Sequence, residues 1–140
     1  MFSEYEIQLV KLEINMALED YATAIENLEN KRYRAALNRS YYSIFHIMCT
    51  RLNLDGLEFS KHSAVIAKFR ELYLNTENFE SNLRKKLSDI IKITEDLRNG
   101  SDYDKGFIVN SATVEKSLED VKFFNDTLLE YINGLINKNQ

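Results

Sequence analysis

Apolar residues recur along this chain at spacings of three and four, the period of a helix, with almost no strand-like alternation. Five stretches follow from that pattern. The first runs from about Phe2 to Asn30 and puts Leu9, Leu12, Met16, Ala24, Ile25 and Leu28 near one face. The second covers roughly Lys31 to Leu52, with Leu37, Tyr41, Ile44, Phe45, Met48 and Leu52 as its stripe. After the loop Asn53-Leu54-Asp55-Gly56, a third begins near Ser60 as its N-cap and carries Val65, Ile66, Phe69 and Leu72. The fourth extends from about Thr76 to Asn99 through Phe79, Leu83, Leu87, Ile90, Ile91 and Leu97, with Gly100 just past its end. The fifth starts near Asn110 or Ser111 and continues through Val114, Leu118, Val121, Phe124, Leu128 and Ile132. A tight joint at Asn30-Lys31 makes the first two helices an antiparallel hairpin. The prediction is an all-α, up-and-down bundle of about five helices, one domain over residues 1–140, with its longest loop from about Ser101 to Val109.

Composition sharpens this picture. There is no proline and there are four glycines in 140 residues, which suits long uninterrupted helices. Eight Tyr and eight Phe within a 44% hydrophobic chain are enough for a core. A net charge of −4 argues against nucleic-acid binding through the overall field but leaves room for a local basic groove. Basic residues do gather, as Lys31, Arg32, Arg34 and Arg39 and again as Arg84, Lys85, Lys86 and Lys92. Cys49 stands alone, so neither a disulfide framework nor a cysteine metal cluster is available. The aliphatic runs are short, and the opening Met1-Phe2-Ser3-Glu4 has acids where a signal peptide needs bases. A cytoplasmic protein without a membrane partner is expected. No histidine spacing suits a metal, and neither a phosphate-cradling glycine loop nor a nucleophile elbow is present, so no metal or cofactor is expected.

The informative residues are polar ones that break the stripes. On the second helix Arg34, Asn38, Tyr41, Phe45, Met48 and Leu52 share a face. A buried amide at Asn38 without partners costs roughly 1–3 kcal/mol, so it either ties helices together or serves a ligand. On the fourth helix Leu87, Ile91, Thr94 and Arg98 share a face, and Arg98 closes the stripe just before the helix stops. A cation there gains about 0.3–1 kcal/mol from the macrodipole, which is the plain reading of Arg98. His46 reads as a satisfied, half-buried ring. His62, in the first turn of the third helix, sits where the protonated form is disfavoured.

At these residues a resemblance emerges. Tyr33-Arg34-Ala35-Ala36-Leu37-Asn38-Arg39-Ser40-Tyr41-Tyr42-Ser43-Ile44-Phe45-His46 resembles the second-helix signature of the HEPN domain family (higher eukaryotes and prokaryotes nucleotide-binding). Phe59-Ser60-Lys61-His62-Ser63-Ala64-Val65-Ile66 is similar to the start of that family's third helix, and Arg98-Asn99-Gly100-Ser101-Asp102-Tyr103-Asp104 to the motif ending its fourth. The three blocks agree in order and spacing over nearly the whole chain. The resemblance implies a homodimer whose two motifs face one another across a cleft. It further implies a metal-independent endoribonuclease, the toxin component of a pair whose antitoxin is a small nucleotidyltransferase.

By position Arg98 matches the family arginine and Asn99 the polar residue after it. The family histidine is missing, and Tyr103 stands about where it is expected, as in a recognised subgroup. Metal-free RNA cleavage needs the 2′-hydroxyl to lose a proton and attack phosphorus. Arg98 suits the developing charge because its planar fork donates two hydrogen bonds to phosphate oxygens. A phenol with a pKa of about 10 is a poor proton carrier near neutrality, which leaves His62 or His46 for that task. The expected catalytic set is thus Arg98, Asn99, Tyr103 and His62, with Asn38, Arg34, Arg39 and Asp102 lining the RNA or nucleotide. In some relatives a tyrosine beside this motif receives AMP from the partner, which Tyr103 matches; an aromatic packed against the second copy is the other reading. The alternative function is a catalytically silent nucleotide-binding or protein-interaction module.

Overall fold

Ser3 starts the first helix with a capping box. Its Oγ accepts from the Glu6 N–H at 3.1 Å, and its own N–H donates to Glu6 Oε1 at 3.0 Å. In the computed structural model, which describes residues 2–76 and 78–138, α1 then runs over Glu4–Glu29 and α2 over Tyr33–Leu54. The joint between them turns at Lys31, whose φ of 59° lies in the left-handed region. α3 spans His62–Phe69 and passes into a π turn at Arg70–Leu74; α4 spans Ser81–Tyr103 and α5 Ser111–Lys138. The fold is a helical bundle, and among the described residues there is no strand. None of the helices among those residues is long and apolar enough to cross a membrane.

α2 is the axis of the bundle: α1, α3, α4 and α5 all pack on it. Its sequence-predicted stripe is the core, with Leu37, Tyr41, Ile44, Phe45, Met48 and Leu52 all buried. The α5 stripe is buried as expected from Val114 to Ile132. Small residues let α1 approach α2 closely, since Ala17, Ala24 and Ala36 are wholly buried. At that contact Ser43 Oγ donates to the Ala17 carbonyl at 2.7 Å and accepts from Asn125 Nδ2 at 2.9 Å, joining α1, α2 and α5.

Four expectations are corrected. On α1 the buried line is Val10, Ala17 and Ala24, while Leu12 and Met16 face outward at 56% and 37% exposure. The apolar count misled there because alanines, not the larger side chains, fill the tight α1–α2 seam. Ser60 is not the cap of α3; Lys61 holds that place with no side-chain bond. In the π turn the Asn75 N–H donates five residues back, to Arg70 O at 2.7 Å, which slips the face by one position. Tyr73 and Leu74 are therefore buried and Leu72 is turned out. Lastly, the fourth helix begins at Ser81 and does not stop at Asn99.

Gly100 lies inside α4 because the ring of Phe107 rests against it. A Cβ built on Gly100 would come within 2.6 Å of that ring. The helix thus continues through Ser101, Asp102 and Tyr103, and the following loop folds back over it. Gly100→Ala gains up to about 1 kcal/mol of helix propensity but loses about 1–3 kcal/mol to overpacking. We expect a net loss of stability in urea denaturation. In a Phe107→Ala background the same substitution becomes stabilising, and a gain in both backgrounds would refute the packing account.

Candidate functional site

The extension of α4 moves Arg98 more than a turn inside the helix end, where the macrodipole acts weakly. The cation that meets the end of α4 is instead Arg34 of α2. Its Nη1 donates to the Ser101 carbonyl, and its Nη2 donates to the Phe107 carbonyl at 2.7 Å. Arg34 is thereby committed to the last turn of α4 and the loop behind it.

Arg98 itself is 16% exposed in its side chain. Its Nε lies 3.1 Å from Asp102 Oδ2, one turn along α4, as an ion pair. The N–H is not aimed at the carboxylate, however, and this buried nitrogen makes no hydrogen bond among the described residues. The other two nitrogens reach only long contacts, Nη1 donating to Asn99 Oδ1 at 3.4 Å and Nη2 to Tyr42 Oη at 3.5 Å. Three tyrosines surround the fork: its Cζ stands 4.9 Å from the Tyr41 ring centre, 5.7 Å from Tyr42 and 5.6 Å from Tyr103. This guanidinium is placed by charge and aromatic faces and holds no short hydrogen bond.

Asp102 Oδ2 also accepts from Asn38 Nδ2 at 3.0 Å, which ties α4 to α2. Asn38 Oδ1 in turn accepts from Arg39 Nε at 3.1 Å and Nη2 at 2.7 Å. With an acceptor-only carboxylate on one side and a donor-only guanidinium on the other, the amide orientation is fixed. Arg39 continues to Asp20 Oδ1 at 3.1 Å and stacks over Tyr42 at 4.7 Å. Asp20 Oδ2 is 3.6 Å from His46 Nε2, and Glu13 Oε2 is 2.7 Å from His46 Nδ1. A polar chain thus runs from α1 through α2 to Arg98, and His46 is engaged at both nitrogens.

His62 is the other imidazole. Its Nδ1 lies 3.3 Å from Tyr41 Oη, and its ring packs on Phe45 at 4.2 Å and edge-on to Tyr42 at 5.5 Å. Burial, then the charge of Arg98 and the neighbouring His46 imidazole, hold its pKa below the ordinary histidine value. Asn99 is exposed, and Tyr103 is 74% exposed with its ring beside Arg98. The other basic residues of α4, Arg84, Lys85, Lys86 and Lys92, make no hydrogen bond or ion pair with this cluster among the described residues. Lys85 and Lys92 pair with Asp89 and Asp96, and Lys86 sits 3.7 Å over the Phe123 ring. Among the described residues no group of three or more His, Cys, Asp or Glu side chains is arranged to hold a metal.

A family model described as the HEPN domain matches residues 10–131. The chain belongs to the HEPN family. It is similar to a UPF0332 protein of Thermotoga maritima, at 40% identity over 58 residues, which is 41% of this chain and 44% of that one. A UPF0332 protein of Pyrococcus horikoshii is 34% identical over 79 residues, 56% of each chain. A Methanocaldococcus jannaschii protein bearing the name "Putative toxin" is 34% identical over 90 residues, 64% of each chain. The matched segments therefore span about half the length of these relatives.

Tyr42, Asp20 and Glu13 join this HEPN site without having been singled out in the sequence. Tyr42 lies one turn (i+4) beyond Asn38, on the row beside the apolar face that runs through Tyr41 at i+3. The acids of α1 carry no motif and are recognised only through the α1–α2 contact.

Two expected outcomes follow. By NMR titration His62 protonates below the usual histidine range, and Arg98→Ala raises that midpoint by removing a neighbouring positive charge. Because the folded state binds this proton less readily than the unfolded chain, His62 lowers stability as pH falls from above about 6.5 through its folded midpoint. A midpoint unmoved by Arg98→Ala would break the electrostatic link between the two side chains.

Proposed function

We propose that this HEPN protein is the toxin component of a toxin–antitoxin pair and cleaves RNA without a metal ion. One observation carries the reading: Arg98 is a largely buried guanidinium with no short hydrogen bond, ringed by aromatic faces. Charge without committed hydrogen-bond partners suits a phosphodiester, whose two free oxygens match the fork of arginine. Aromatic faces suit the unstacked bases of a single strand. The acidic chain favours a local site over an extended basic field.

In this reading the 2′-oxygen attacks the adjacent phosphorus and gives its proton to water, and the bond to the 5′-oxygen of the next nucleotide breaks, that oxygen taking a proton from water to leave as a hydroxyl. Arg98 stabilises the charge that gathers on the phosphoryl oxygens, and Asn99 supplies a neighbouring amide. Asp102 and Asn38 hold the guanidinium in place. A homodimer would set two such sites across one cleft, and the exposed Tyr103 and the 91% exposed Ile108 offer apolar surface for that contact. The partner is a small nucleotidyltransferase. Tyr103 is its acceptor: the phenolic oxygen attacks the α-phosphorus of ATP, pyrophosphate leaves, and the bound AMP fills the approach to Arg98 with bulk and charge. The name borne by the M. jannaschii relative supports the toxin assignment. The second reading, nucleotide binding without turnover, draws on positions 102–105, Asp-Tyr-Asp-Lys, which contain no imidazole.

The test is RNA cleavage in the presence of a chelator. Wild type and Tyr103→Phe cleave, and Arg98→Ala, still helical by circular dichroism, loses about 10²–10³-fold in rate. Intact RNA in all three, with saturable mononucleotide binding that Arg98→Ala weakens, transfers the assignment to the silent binding module. Incubation with the partner and ATP adds AMP to wild type but leaves Tyr103→Phe unmodified. Labelling of Tyr103→Phe would move the acceptor elsewhere.

A further inference from the structure

The hydroxyl of Tyr41 decides what His62 can do. Tyr41 is 1% exposed, and burial pushes its phenol up to about 12, so it stays protonated across the physiological range. Among the described residues its one hydrogen-bonding neighbour is His62 Nδ1 at 3.3 Å. A buried O–H left without an acceptor is costly, so this hydroxyl donates and Nδ1 holds a lone pair. A neutral imidazole that accepts at Nδ1 carries its hydrogen on Nε2. No hydrogen bond reaches Nε2 among the described residues. His62 and Arg98 share a floor: the Tyr42 ring lies 5.5 Å from the imidazole and 5.7 Å from the guanidinium carbon, and the Tyr41 ring 5.9 Å and 4.9 Å. A second proton on His62 is opposed by burial and by the nearby Arg98 and His46.

We propose that Tyr41 locks His62 as a neutral Nε2–H donor to an oxygen of the RNA phosphodiester that Arg98 engages. His62 is then a binding residue and not the acceptor of the 2′-hydroxyl proton, since its only lone pair is held by Tyr41. Tyr41 is a positioning residue acting through it. This inference rests on the assignment of Arg98 to the phosphodiester.

Nitrogen-15 spectra of the imidazole in the full chain at neutral pH test the lock without any ligand. Wild type gives a bare Nδ1 and a protonated Nε2, and Tyr41→Phe relaxes to a mixture of tautomers. A protonated Nδ1 in wild type overturns the proposal. Calorimetry with a 2′-O-methyl oligoribonucleotide, which cannot be cleaved, tests the donor. His62→Gln, whose amide places an N–H near the Nε2 position, binds within about threefold of wild type, while His62→Ala weakens binding about tenfold, as loss of one hydrogen bond to a charged group implies. Equal loss in His62→Gln and His62→Ala, or none in either, overturns the proposal while Arg98→Ala still abolishes binding. Wild type that fails to bind removes the assignment of Arg98 and this inference with it.

Discussion

One carboxylate oxygen organises this molecule's polar face. Asp102 Oδ2 meets Arg98 Nε at 3.1 Å and Asn38 Nδ2 at 3.0 Å, so a single atom joins the end of α4 to the second turn of α2. Asp102 can do this only because α4 continues past Gly100, and α4 continues because Arg34 takes up its terminal carbonyl while Phe107 covers the glycine. Removing one member of a half-buried pair costs more than the pair itself contributes, because the other charge is left without an answer. The arrangement is therefore better seen as a means of fixing position than as a source of stability.

Three arginines illustrate how that position is kept. Arg34 is committed to backbone carbonyls, and Arg39 to Asn38, Asp20 and the face of Tyr42. Both support the third. Arg98 is left with an ion pair at one nitrogen and long contacts at the others, so its fork can turn toward a ligand without first breaking a strong bond. The chain Glu13–His46–Asp20–Arg39–Asn38 extends the same support to α1. The energetic cost of ordering long side chains is thus met in the folded protein, ahead of any ligand.

How much of this was legible in the sequence depends on the local physics. The stripes of α2 and α5 were readable because large apolar side chains mark a face that packs against several neighbours. That of α1 was legible only in its second half, where Ala24 is buried and Ile25 and Leu28 pack on the core; in the first half Val10 and Ala17 fill the seam while Leu12 and Met16 lie outside. The π turn and the unbroken helix at Gly100 depend on contacts made across the fold, Asn75 to Arg70 and Phe107 to Gly100, which no local window contains. Arg98 and Asn38 were visible as polar interruptions of apolar faces. Their partners Tyr42 and Asp20 were not, because a tyrosine or an aspartate beside a helix stripe is ordinary until the helix opposite it is known.

On the proposed function, the negative charge of the chain and a phosphate-bearing ligand are compatible only through geometry of this kind. A protein carrying net charge −4 has no long-range field to gather a polyanion and little to gain from releasing many counterions. Affinity must then come from a few short contacts in a place shielded from water, where a single guanidinium interacts more strongly than on an open surface. Aromatic walls provide that shielding without adding negative charge. In the proposed site an imidazole kept neutral contributes a hydrogen-bond donor without placing a second cation against Arg98. On the proposed function, neutral donors around one largely buried guanidinium suit a single phosphodiester better than the length of a nucleic acid.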